Sequence, residues 1–87
     1  MKFRAKLERN EYNNLFITIQ VKRLFFWKDL YYNLTNGIDG AMFWPIIYSC
    51  DVPYHPQAND LLNRLRTDEK VRKNYYIKTI FGYRKLK

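Results

Sequence analysis

Residues 2–8 alternate strictly between apolar and polar side chains. Phe3, Ala5 and Leu7 fall on one side, with Lys2, Arg4, Lys6 and Glu8 on the other. A period of two predicts a half-buried strand with Phe3, Ala5 and Leu7 inward. Residues 15–23 repeat the pattern. Leu15, Ile17, Ile19 and Val21 are expected inward, and Thr18, Gln20 and Lys22 outward. Their β-branched enrichment supports a strand. The polar, Asn-rich stretch 9–14 between them reads as a turn, so the two runs pair as a hairpin.

The alternation breaks at Leu24-Phe25-Phe26-Trp27, where a bulge, a tight corner or an element buried on both faces is expected. Residues 24–35 fit two templates. Trp27, Leu30, Tyr31 and Leu34 have helical spacing, whereas Leu30, Tyr32 and Leu34 have strand spacing. Asn36-Gly37 caps a helix or turns a hairpin equally well. The strand reading is favoured, because residues 40–48 carry a second strand-like run just after that turn. Pro45 lacks an N–H and divides that run or places it at a sheet edge.

A two-proline connector, 52–56, leads into the clearest helix. Pro56 suits a first turn, and Ala58, Leu61, Leu62 and Leu65 form its apolar stripe. Thr67-Asp68-Glu69 either restarts the helix or lies within one running to Lys73. Residues 75–83 alternate again and predict one last strand. The order of elements argues for an α+β domain: a small antiparallel sheet of about four to five strands with one main helix on one face.

Composition adds a single thin core. At 87 residues the chain is one domain, and 47% hydrophobic with 18% aromatic content supplies large side chains to stabilise it. Charge is segregated. Residues 31–60 contain no Lys or Arg and three Asp, for a net charge of −3; residues 1–30 carry +4 and residues 61–87 carry +7. A basic final third with interleaved aromatics points to an anionic partner. The longest apolar run, 41–48, is far below the roughly 20 residues that span a bilayer. No signal-peptide pattern follows Met1, and Cys50 is the single cysteine. The expectation is a cytoplasmic monomer or weak dimer with no membrane partner and no small-molecule cofactor.

Few residues offer catalysis. His55 is the single histidine; a Cys50–His55 nucleophile and base is disfavoured because cysteine is usually buried and His55 lies in a turn between Tyr54 and Pro56, and a Cys50, Asp51, His55 metal site matches no recognised ligand spacing. Three glycines make no phosphate loop. Neither catalytic nor metal-ligating residues are expected. Binding residues are easier to nominate. Arg64, Arg66, Lys70, Arg72 and Lys73 follow the helix, with 66, 70 and 73 on one face. Lys78, Arg84 and Lys85 continue the charge. These contact phosphates in the RNA-binding reading, while Tyr75, Tyr76 and Tyr83 stack on unpaired bases. In the cation-free middle, Phe43, Trp44, Tyr48 and Tyr54 are candidate anchors for a protein partner.

Tyr83, Arg84 and Lys85 resemble in type the residues of ribosome-dependent ribonuclease toxins, which implies metal-independent RNA cleavage as the alternative function. The general character of the chain, small, without catalytic motifs and rich in aromatic alternating strands, resembles phage and mobile-element accessory proteins of the anti-CRISPR type. That resemblance implies a non-enzymatic inhibitor that engages RNA or a ribonucleoprotein, such as an RNA-guided nuclease effector.

Overall fold

The computed structural model describes residues 1–35 and 42–86. The expected first hairpin is present: β1 (Phe3–Arg9) and β2 (Leu15–Arg23) pair antiparallel with Phe3 opposite Val21 and Arg9 opposite Leu15. The strand reading of the next segment holds, as β3 (Phe26–Asp29) and β4 (Tyr31–Asn33). Pro45 splits the following run into β5 (Phe43–Pro45) and β6 (Ile47–Cys50). The Asn36-Gly37 turn lies outside the described residues.

One small sheet was expected; two four-stranded antiparallel sheets are present. In the first, β2 pairs with β1 along one side and with β3 and β6 along the other. The second has the order β5-β4-β7-β8. Leu30 joins them. Its N–H donates to the Ile19 carbonyl at 2.9 Å, and its own carbonyl accepts from Ile46 N at 3.0 Å. One extended segment therefore leaves the first sheet and enters the second at a fully buried leucine.

The helix begins and ends where its sequence signals lie. α1 (Pro56–Thr67) has Pro56 at its first turn, and His55 Nδ1 accepts from Ala58 N at 3.4 Å as the N-cap. Asp68 interrupts it and caps a short α2 (Glu69–Arg72) by accepting from Lys70 N. Ala58, Leu61, Leu62 and Leu65 face the core with Ile17, Ile19, Val21, Leu30, Ile46 and Ile77.

Three expectations need correcting. The last strand is a hairpin: β7 (Tyr75–Thr79) turns at Ile80-Phe81 into β8 (Gly82–Lys85). Gly82 adopts φ +107°, a conformation disfavoured for residues with a Cβ, and the Thr79 hydroxyl donates to the Gly82 carbonyl. The expected single strand would put Tyr83 on the face of Tyr75 and Ile77, but the two-residue turn inverts that parity: Lys78 stands opposite Tyr83, and Tyr83 joins the face of Tyr76 and Lys78. Next, Ala5 and Leu7 are exposed, because β1 is an edge strand whose helical cover meets it at Phe3. Conversely, Thr18 and Gln20 are buried, because β2 is central and its neighbours' side chains cover its outer face. Leu86 also enters the core, fixed by its N–H donating to the Tyr75 carbonyl.

Candidate nucleic-acid interface

The second sheet has one face on the core and one facing away. Tyr32, Tyr75 and Ile77 point to the core side. Strand alternation and register place Tyr31, Asn33, Phe43, Tyr76, Lys78, Tyr83 and Lys85 on the opposite face, with Tyr31 opposite Tyr76 and Lys78 opposite Tyr83. The sheet curls enough for rings from its two outer strands to meet. Phe43 stacks on Tyr83 at 4.2 Å between centroids and 16° between planes. Tyr31 meets Tyr83 edge-on at 5.0 Å, and Phe43 meets Tyr76 edge-on at 4.8 Å.

Each strand thus supplies one ring to a cluster outside the main core, bordered by Lys78 and Lys85. Tyr83 is its most open member, 38% exposed. Neither lysine forms an ion pair among the described residues. Residues 70–87 contain no acid, so nothing on this stretch neutralises them. Burial, then the neighbouring Tyr83 and Asp29, raises the Tyr31 pKa above 10.0. Its hydroxyl stays neutral at physiological pH, as a stacking or hydrogen-bonding group requires.

Of the nominated RNA contacts, the structure brings together Tyr76, Tyr83, Lys78 and Lys85. Tyr75 and Arg84 lie on the other face of the same strands; Tyr75 packs against the core, while Arg84 remains exposed on the edge strand. The helical cations are elsewhere, and the break at Asp68 separates Arg66 from Lys70 and Lys73, which do not share one continuous helix. Arg64 pairs with Asp60 at 3.1 Å, exposed. Arg66 donates to the Phe3 carbonyl at 3.0 Å, and Arg72 donates to the carbonyls of Leu65 and Arg66 at 2.6 and 3.0 Å. Those two arginines tie the helices to each other and to β1. Lys70 and Lys73 remain exposed.

The proposed protein-binding aromatics do not form one patch. Phe43 belongs to the ring cluster. Trp44 points to the opposite side, 52% exposed, beside a groove of about 400 Å³ that Tyr48 and Leu61 also line. Tyr48 packs against the core and against the His55 ring at 4.9 Å, and Tyr54 is exposed beside a larger cleft of about 1010 Å³. With Nδ1 of His55 engaged as a helix cap, a Cys50–His55 dyad has lost one of its two imidazole nitrogens. Among the described residues no group of three His, Cys, Asp or Glu is placed to hold a metal.

Sequence reasoning missed Tyr31 and Phe43 as members of the ring cluster. Their parity with Tyr76 and Tyr83 was unreadable, because strands far apart in sequence set it. No family model matches the chain, and no curated protein or solved structure matches it. No helix among the described residues is long and apolar enough to cross a membrane.

Proposed function

We propose that this protein binds single-stranded RNA, alone or within a ribonucleoprotein, through the outer face of its second sheet. The observation that carries the reading is the ring cluster of Tyr31, Phe43, Tyr76 and Tyr83 beside Lys78 and Lys85, which form no ion pair among the described residues. Stacking rings and nearby cations are the two ingredients of sequence-tolerant single-strand binding. A guide strand exposed on an RNA-guided nuclease offers the same chemistry, and occupying it is how such a face inhibits. The ribonuclease alternative draws less support. Tyr83 and Lys85 share a face, whereas Arg84 points to the other, so the three side chains do not converge on one phosphate.

Titration with labelled single-stranded RNA at several salt concentrations tests this. Tyr83→Ala should weaken binding by about 1–3 kcal/mol, the worth of one stacked base. Changing Lys78 and Lys85 to Gln should flatten the dependence of log K on log salt by about 1.4, at about 0.7 per phosphate contact. No binding by the wild type at low salt would sink the proposal. Metal-independent cleavage lost in Arg84→Ala would replace it with the nuclease.

A further inference from the structure

Two hairpin turns carry apolar residues where turns ordinarily carry Gly, Asn or Asp. The β2–β3 turn is Leu24-Phe25, followed by Phe26. The β7–β8 turn is Ile80-Phe81. Each is an aliphatic residue followed by Phe. All five side chains are open, from 69% for Phe26 to 93% for Phe81. Leu24 is also held at φ +53°, in the left-handed region that non-glycine residues avoid. Local strain, an ill-suited turn composition and exposed apolar surface therefore coincide at the same place.

The two turns lie at one end of the molecule. β4 continues the direction of β3 through Leu30 and runs antiparallel to β7. Lys28 Nζ donates to the Lys78 carbonyl at 3.1 Å, which fixes β3 beside β7. Phe25 is three residues beyond Lys28, and Phe81 is three beyond Lys78. At about 3.3 Å per residue, both tips project roughly 10 Å past that contact. Behind them sit Lys22, Arg23, Lys28, Lys78 and Arg84, with no acidic residue in 22–28 or 78–85. Trp27 and Tyr83 occupy the same level, each with an apolar body and a polar edge.

We propose that this end is a peripheral membrane-docking surface, with both tips inserted into a bilayer whose surface is anionic. The apolar depth matches the roughly 5–10 Å from headgroups to acyl chains. The cations then lie at the level of anionic headgroups, and Trp27 and Tyr83 at the interface that such rings prefer. RNA gives Leu24 and Ile80 no apolar environment, so the tips are not an extension of the ring cluster. This docking involves no spanning helix. It departs from the expectation, drawn from the absence of a spanning segment, that no membrane is involved. It shares Lys78 and Tyr83 with the proposed RNA face and rests on the two tips, which that face does not use.

The test uses the full chain and phosphatidylcholine vesicles with and without phosphatidylserine. Flotation should show partition into the phosphatidylserine vesicles, weakened by salt, and little into phosphatidylcholine alone. Changing Phe25 and Phe81 together to Ser should lower that partition roughly 100-fold, at about tenfold for each buried ring. Thermal unfolding and RNA affinity should stay unchanged, because both side chains are open. No partition at low salt overturns the inference. So does an unchanged partition in the double variant, which leaves charge alone. Self-association of the wild type that the double variant abolishes would assign the tips to a second copy. Loss of RNA affinity in that variant would assign them to the RNA face.

Discussion

The outer faces of the two sheets use similar residues to opposite ends. On the first sheet, Arg4, Gln20 and Asp29 stand opposite one another on three adjacent strands. Arg4 Nε donates to Gln20 Oε1, and Gln20 Nε2 donates to Asp29 Oδ1, both at 2.8 Å. The Arg4 guanidinium lies 4.2 Å over the Trp27 ring. Nearby, Lys6 pairs with Glu8 at 2.9 Å. Cation, aromatic ring and acid are engaged with one another, while the buried Thr18 hydroxyl on the same face has no hydrogen-bond partner among the described residues. On the second sheet the rings engage one another while Lys78 and Lys85 pair with no acid among the described residues. The lesson is that a cation's availability depends on its cross-strand neighbours, and those are set by register, not by local composition.

The largest test concerns what the two faces share. Leu30 is fully buried at the junction of the sheets. Leu30→Ala should cost about 2–5 kcal/mol. Chemical denaturation followed by two probes should still show one transition, shifted to lower denaturant. Two separated transitions would break the comparison, because the faces would then sit on independent units.

A smaller effect sharpens the contrast directly. Gln20 is only 7% exposed and bridges an arginine and a carboxylate. Removing it in Gln20→Ala leaves both partners without their buried link, at about 1–3 kcal/mol of stability. RNA affinity should not change. Tyr83→Ala should do the reverse, moving affinity far more than the unfolding midpoint. If both variants move the same quantity, the two faces do not differ in role.

The smallest effect is in alkali. Burial is the leading cause that raises the pKa of Tyr31, Tyr48 and Tyr75 above 10.0 in the folded chain. The folded state then holds protons that the unfolded state has released. Stability from these groups is fully present below about pH 10 and falls as pH rises through their folded values. A spectrophotometric titration should show some tyrosines ionising later than the free side chain. Simultaneous ionisation of all tyrosines near pH 10 would show that neither the ring cluster nor the core shields them.

Much of the fold was legible because local signals and tertiary demands agreed. Pro56 and the Ala58, Leu61, Leu62, Leu65 stripe fixed α1, whereas Thr67-Asp68-Glu69 fitted a break or a continuous helix alike, and the structure breaks the helix at Asp68. Strict alternation marked β1 and β2, and Pro45 marked the division between β5 and β6. The candidate site was legible in part: Tyr76, Tyr83, Lys78 and Lys85 were nominated together, but so were Arg66 and Arg72, which hold backbone carbonyls. An arginine bound to a carbonyl and one free for phosphate look identical in sequence.

The sequence by itself determined the helix, the first two strands and the excess of positive charge at the end of the chain. Each depends on residues within a few positions of one another: a period, a cap, a proline without its N–H. Only the tertiary structure decided that there are two sheets, that Leu30 passes from one to the other, and that Thr18 and Gln20 are covered. It also decided that Tyr31 and Phe43 join Tyr76 and Tyr83 across four strands. Those outcomes depend on pairing between segments up to about half the chain apart. Period-two alternation says which residues share a face of one strand, and it carries no information about which face of the assembled sheet meets the core.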